Sequence, residues 1–233
     1  MKMKPLKIFI LGIFAVLTFY SCKKDYVIGG SLFEAKVNMS TYDYLKTNHK
    51  FDTLLIMIDK MNLKDDVNKS GTFFAFTNYS IHAYVNLVQN QKRVQGDENL
   101  VFTFDSLELT PQSPLRDSLK AYMFKDRIAY DNLDVKGKYV AANDGEKRLI
   151  QLRPTTDYTS GVFTTLPKYI FFTKLVLTED GKPLPNDIDG VAALNDDQFL
   201  STLCQTTGII TTTGTLHVLS DNHTFTYFGD KNN

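Results

Sequence analysis

The stretch Gly71-Thr72-Phe73-Phe74-Ala75-Phe76-Thr77-Asn78 decides the fold of this chain. Its centre is a short run of apolar, mainly aromatic residues, which predicts a buried β-strand. Thr77 or Asn78 then offers a side-chain oxygen that can cap a helix. The inner face of that helix would carry Ile81, Tyr84, Val85 and Val88. The sequence therefore predicts a core strand that runs directly into a helix.

Helical signals precede and follow this strand. Ser40 supplies a cap oxygen for a helix starting at Thr41, with the acidic Asp43 three residues on. Asn48 can cap a second helix, in which apolar residues recur at helical spacing from Phe51 to Met61. Downstream of the core strand, the sequence predicts a polar loop over 89–99, a strand over 101–104 and a helix that starts at Ser113-Pro114.

The second half of the chain is predominantly β in pattern. Two hairpins are predicted, one around Asn143-Asp144-Gly145 and one around Thr213-Gly214. Further strands are predicted over 169–177 and 224–228, and a turn-rich loop over 183–190. Helices followed by strands indicate an α+β domain and not alternating βαβ units. With no internal repeat or linker, we expect one domain over 38–228 and a C-terminal tail over 229–233.

The amino terminus has the pattern of an export signal. Three lysines within the first seven residues precede an apolar run over 8–19, which is too short to span a bilayer as a helix. The run leads to Ser21-Cys22, which resembles the lipobox cut by lipoprotein signal peptidase. We therefore expect a signal peptide over 1–21, lipid attachment at Cys22 and a polar tether over 22–37. The alternative is an ordinary signal peptide with an incidental cysteine.

The charge balance argues against nucleic-acid binding, and the cysteine count argues against a disulfide. The 26 basic and 26 acidic residues give zero formal net charge, so no basic footprint for nucleic acid is present. The chain has two cysteines, and if Cys22 carries lipid, Cys204 has no disulfide partner. Its apolar sequence context predicts a buried, unreactive thiol.

Two segments at the ends of the body together resemble the fasciclin family. One is the front stretch from Thr41 through Asn78, and the other is the terminal stretch 207–219, with its Gly, branched, His and hydrophobic pattern. The resemblance implies helices packed on a β-sandwich or wedge of mostly antiparallel strands, with Thr77, Asn78 and His217 in structural roles. Tyr122 aligns with the tyrosine of the family's central Tyr-His pair, and Met123 stands in place of that histidine.

Other candidate sites have simpler interpretations. His217, Asp221 and His223 lie near one another in sequence, but 220–222 has the pattern of a turn and a metal site needs three or four convergent ligands. The calcium-like stretch 186–190 lacks the required first and last ligands and is expected to be a plain turn. Tyr130 and Tyr158 are candidates for ligand contact, and the alternative for both is core packing or incidental exposure.

No nucleophile, phosphate-loop or dinucleotide motif occurs in the sequence, so we expect a non-enzymatic protein without a cofactor. The lipoprotein and fasciclin resemblances point to envelope lipoproteins of Bacteroidota, often associated with glycan uptake. They imply a binding or adhesion module for protein or glycan, lipid-anchored in the outer membrane at the cell surface or on its periplasmic face. The alternatives are a structural accessory subunit of an outer-membrane uptake complex and, third, a hydrolase whose site has no known signature.

Overall fold

The helices come mainly first in the chain, as the sequence predicts. The structure, a computed structural model, describes residues 36–155, 166–176 and 183–226. Helix α1 (Thr41–Leu45) is capped by the Ser40 hydroxyl, which accepts from the Asp43 amide at 3.1 Å. Asn48 caps a 3-10 turn that leads into α2 (Asp52–Lys60), and α3 (Lys64–Lys69) follows.

The central stretch forms the predicted strand and helix. Strand β1 (Thr72–Ala75) is buried along its whole length, and Thr77 is the N-cap residue of α4 (Asn78–Val94). Because α4 continues to Val94, the predicted loop over 89–99 is wrong for its first six residues. Those residues are mostly good helix formers, and no glycine interrupts them before Gly96, where φ is +127°. Polarity alone did not distinguish an exposed helix from a loop.

The predicted strand over 101–104 is also wrong. Phe104–Ser106 is a 3-10 turn, closed by a capping box between Thr103 and Ser106. The Ser106 hydroxyl accepts from the Thr103 amide at 3.0 Å, so side-chain bonding to the backbone replaces strand pairing there. Helix α5 (Pro114–Lys120) then begins as expected, with Ser113 as its cap.

The described strands in the rest of the chain are β2 (Met123–Phe124), β3 (Lys138–Ala141), β4 (Lys147–Pro154), β5 (Lys168–Leu175), β6 (Phe199–Ile210) and β7 (Thr215–Leu219), with a short helix α6 (Ile188–Val191) before β6. Both predicted hairpins are confirmed, as β3–β4 and β6–β7. The strand predicted over 224–228 is wrong for 224–226, and 227–228 lie outside the described residues. Thr226 has a φ of +55°, and the Phe225 amide donates to the Ser80 carbonyl instead of to a strand.

The seven strands pair in the order β2-β1-β7-β6-β5-β4-β3. Among them β1 and β7 are parallel and every other pair is antiparallel. Strand β6 joins two halves, since residues 199–203 pair with β5 and residues from Cys204 onwards pair with β7. At Gly214, before β7, a Cβ would lie 2.4 Å from the Ser70 carbonyl, so the close approach to β1 requires glycine there. The α+β class predicted from the sequence is confirmed.

The sheet folds over on itself. Strands β1 and β5 are three steps apart in the sheet, which would separate them by about 14 Å in a flat sheet. Nevertheless the rings of Phe74 on β1 and Phe172 on β5 have centroids 4.9 Å apart, and Tyr122 stacks on Phe172 at 5.4 Å. The two halves therefore enclose an aromatic core between them. No helix within the three described ranges is long and apolar enough to cross a membrane.

Candidate functional site

The residues of the front motif hold the helices together. Asn78 Oδ1 accepts from the Thr53 amide at 3.0 Å and also from the Thr53 hydroxyl, while Asn78 Nδ2 donates to the His49 carbonyl at 2.7 Å. Asn78 thus links the start of α4 to the start of α2. The Thr77 hydroxyl donates to Asp221 Oδ1 at 2.8 Å, which connects the same cap to the turn after β7.

Asp221 is the centre of a polar network around this turn. Its carboxylate accepts from Thr77, from Gln205 Nε2 at 3.0 Å and from Lys50 Nζ at 3.1 Å. Burial acts to raise the pKa of Asp221, but the hydrogen bonds from Gln205, Thr77 and Lys50 outweigh it and hold that pKa below its usual range. The network therefore fixes a structural carboxylate.

We expect Asp221→Ala to destabilise the protein by about 1–3 kcal/mol, because the buried Thr77 hydroxyl loses its acceptor. Asp65→Ala is the matched control, since Asp65 and Lys69 are both largely exposed and 3.7 Å apart. The control should change stability by less than about 0.5 kcal/mol. Urea unfolding followed by circular dichroism measures both, and equal effects would contradict the assigned role.

His217 is fully buried and bonded to the main chain. Its Nδ1 accepts from the Gly208 amide at 3.2 Å, so Nε2 carries the proton and donates to the Ile128 carbonyl at 2.8 Å. The ring stacks on Phe74 with centroids 4.9 Å apart. Burial lowers the pKa of His217 to about 4, although the bond to Ile128 acts in the opposite direction. Both ring nitrogens are thus engaged by backbone atoms.

His223 pairs with Tyr122 in the aromatic core. The Tyr122 hydroxyl lies 2.8 Å from His223 Nε2, and both side chains are buried. Burial lowers the pKa of His223 to about 3 and raises that of Tyr122. The imidazole that contacts Tyr122 therefore comes from the turn after β7. The residue next to Tyr122 in the sequence is Met123, which has no imidazole. The sequence alone does not reveal the pairing of Tyr122 with His223, because the two residues are 101 positions apart.

The side chains in the two stretches that resembled metal sites bond to other groups of the protein. His217, Asp221 and His223 bond to different partners, and no group of three acidic, histidine or cysteine side chains in the described ranges is placed to hold a metal ion. In the calcium-like stretch, Asp187 caps α6 by accepting from the Gly190 amide, and Asp189 pairs with Lys136 at 2.7 Å.

The remaining predicted residues fall in different places. Cys204 is fully buried, and burial raises the pKa of its thiol. Tyr130 is half-buried against the core, with its hydroxyl 3.5 Å from the Lys168 carbonyl. Cys22 and Tyr158 lie outside the described residues.

Two charged residues occupy core-facing positions that the sequence analysis did not single out. Side chains alternate along a strand, so Arg148 lies on the same face of β4 as Ile150 and Leu152, which belong to the main core. By the same rule Lys174 shares a face of β5 with Phe172. A buried arginine is rare unless it is paired or functional.

Arg148 is held by two carboxylates from its own hairpin. Its side chain is 2% exposed, and its guanidinium bonds to Asp144 at 2.6 Å and to Glu146 at 3.1 Å. Burial raises the pKa of Asp144 above its usual value, even though Arg148 acts to lower it. Arg148 Nε is also buried, and it has no hydrogen-bond partner among the described residues. One charged donor is therefore unsatisfied, which costs about 1–3 kcal/mol.

A cavity of about 360 Å³ opens beside Arg148. Arg148, Ala121 and Tyr122 are buried beneath it, and the exposed residues Asp117 and Glu146 stand at its rim. Its wall also includes Ser118, Asp144, Lys174 and Thr226. The cavity thus places three carboxylates, two cations and the hydroxyls of Ser118 and Thr226 around one small volume.

The signal that could have located this cavity is in the strand pattern. Arg148 precedes Ile150 by two residues and Lys174 follows Phe172 by two, so both are charged residues on an apolar face.

A scan against protein-family models finds no matching family, and a search of curated proteins finds no match either.

Proposed function

We propose that this protein is a lipid-anchored, non-catalytic binding module that recognises a glycan or protein ligand at the outer membrane. The observation that carries the proposal is the open polar cavity at Arg148, where a buried guanidinium lies beside an aromatic core. Concave sites with a few convergent polar groups are the usual location of ligand binding. Arg148 and Lys174 lie on strands and Ser118 on a helix, and such elements hold a site more precisely than loops do.

The anchor and the resemblance support the same proposal. The basic start, the apolar run over 8–19 and Ser21-Cys22 favour export and acylation. The fasciclin-like reading is supported by the parallel pairing of β1 with β7, which sets Phe74 of the front motif opposite His217 of the terminal motif. Most buried titratable groups in the core have structural partners, which favours a rigid body over a reaction centre.

The test is a ligand search with the full-length protein in mild detergent. We expect retention on a glycan array or specific capture of a protein ligand, and we expect protease treatment of intact cells to remove the protein if it faces outward. Absence of any bound ligand, together with turnover in a hydrolase substrate screen, would refute the proposal. Co-purification with a porin-like partner in the absence of free ligand binding would instead favour the accessory subunit.

A further inference from the structure

We propose that the hollow between β2 and β3 binds an extended, acidic peptide segment, which pairs with the open edge of β3 as an added strand. The hollow has a volume of about 600 Å³ and is lined by residues of α3, α5, the bend after β2 and the β3–β4 hairpin. It shares no lining residue with the Arg148 cavity. The inference therefore goes beyond the proposed function, because it assigns a second surface and a class of partner.

The two edge strands of the sheet, β2 and β3, approach each other beside this hollow. They stand at opposite ends of the strand order, yet the amide of Asn143, two residues beyond β3, donates to the Met123 carbonyl at 2.8 Å. An antiparallel continuation of this contact would set Ala141 opposite Lys125. Both residues instead line the hollow, and the described residues form no further main-chain hydrogen bond between the two edges. The sheet thus closes at one contact and is open beyond it.

The main chain of Ala141 is free on the side away from β4. The neighbouring Ala142 amide donates across the hairpin to the Glu146 carbonyl at 2.8 Å. Successive residues of a strand direct their N–H and C=O groups to opposite sides, so those of Ala141 point away from β4. Ala141 is exposed, and no described residue bonds to its outward groups. A peptide offers the matching donor and acceptor at each residue, as in known cases of strand addition, whereas a glycan does not.

Lysines supply the charge of the hollow. Lys69 at the end of α3, Lys120 at the end of α5 and Lys125 after β2 all line it. Asp66 is the one carboxylate among its described lining residues, and it pairs with Arg116 at 3.4 Å. A basic segment would meet three like charges, which is costly at an interface, and an acidic segment meets complementary ones.

Lys125 is the lysine best placed to hold a carboxylate of the partner. Its side chain is exposed and forms no ion pair within the described ranges. Lys120 pairs with Asp117 on its own helix at 2.9 Å. Lys69 lies 3.7 Å from Asp65, and both of these side chains are largely exposed. Such a pair contributes little, so Lys69 can exchange it for a carboxylate of the peptide.

Fluorescence anisotropy with the full-length protein in a neutral detergent tests the inference. The probes are labelled, capped hexapeptides in which glutamate alternates with valine, threonine, leucine or tyrosine, because side chains alternate between the two faces of an added strand. The same peptides with lysine in place of glutamate test the charge. Acidic peptides that are N-methylated at alternate residues, in either phase, test the main-chain pairing. Oligogalacturonate, an acidic glycan, tests the class of partner.

We expect at least one acidic peptide to bind, with affinity reduced roughly tenfold or more in Lys125→Glu and in Ala141→Pro. Lys125→Glu reverses an exposed charge, and Ala141→Pro removes the outward N–H at an edge position where strands tolerate proline. If Ala141→Pro does not fold, Lys125→Glu still decides the result. Lys168→Glu is the matched control, since Lys168 is exposed and pairs with Pro154 at the end of β4 remote from the hairpin turn. It should bind as the unsubstituted protein does.

Each other outcome overturns the inference in a distinct way. Binding that both Lys125→Glu and Ala141→Pro retain would place the peptide site elsewhere. Equal affinity for the N-methylated peptides would exclude strand addition, and equal affinity for the basic peptides would exclude the acidic class. Preference for oligogalacturonate would make the hollow a glycan site. If none of the acidic peptides binds, the inference is refuted, while a ligand retained on a glycan array would leave the proposed function standing.

Discussion

Lowering the pH from 7 to 4 is expected to remove on the order of 5 kcal/mol from the free energy of unfolding. The cause is the pair of buried histidines, His217 and His223, whose pKa values fall from 6.5 to about 4 and about 3 because burial disfavours the charged ring. The loss is comparable to the total stability of a typical domain, about 5–15 kcal/mol. We therefore expect extensive acid unfolding.

The sign of this effect follows from proton binding. In the unfolded chain both histidines bind protons below pH 6.5, whereas in the folded protein they stay neutral until the pH approaches 4 for His217 and 3 for His223. The unfolded state thus binds more protons in this window, and stability falls as the pH falls through it. Above pH 6.5 both states are neutral at these positions, so the contribution is constant there.

The chain provides a matched control for this prediction. It has four histidines, of which His49 and His82 are exposed. Urea unfolding at pH 7.5 and pH 4.5 should show the same loss of stability in the His49→Gln/His82→Gln variant as in the unsubstituted protein. His223→Gln should be less stable at pH 7.5 but lose less on acidification. A stability that does not change between the two pH values would contradict the role of the buried histidines.

The strands and helices that carry the core follow from the sequence because each has a local cause. The apolar run before Thr77, the Ser113-Pro114 cap and the Asn143-Asp144-Gly145 turn all act within a few residues, and the structure contains the element that each predicts. The errors over 89–94, 101–104 and 224–226 lie where composition was the sole signal. There, helix propensity, a capping box and a left-handed residue decided the conformation.

The site depends on contacts that local patterns do not specify. Tyr122, Arg148 and Thr226 meet only because the sheet folds over at β6, and this folding has no signature in any single strand. The buried bond between Tyr122 and His223 has the same origin. Charged residues on the core faces of β4 and β5 were visible in the sequence, but their meaning required knowing that both faces close on one cavity.

On the proposed lipid anchor, replacing Cys22 by alanine should move the protein from the membrane fraction almost entirely into the soluble fraction. The acyl chains that the lipobox resemblance implies each contribute about 0.8 kcal/mol per buried methylene, so several chains hold a protein essentially permanently. With zero formal net charge, the chain has no general attraction to anionic lipid that could replace them. Removal of the thiol therefore removes the principal source of membrane affinity.

Cys204→Ala is the control, because Cys204 is the other cysteine of the chain and is fully buried. It should remain in the membrane fraction and incorporate labelled palmitate as the unsubstituted protein does, whereas Cys22→Ala should do neither. Mass spectrometry of the mature amino terminus would show the acylated cysteine directly. Membrane retention of Cys22→Ala, or an unmodified amino terminus beyond residue 22, would refute the anchor. The cavity at Arg148 would then have to be interpreted for a freely diffusing protein.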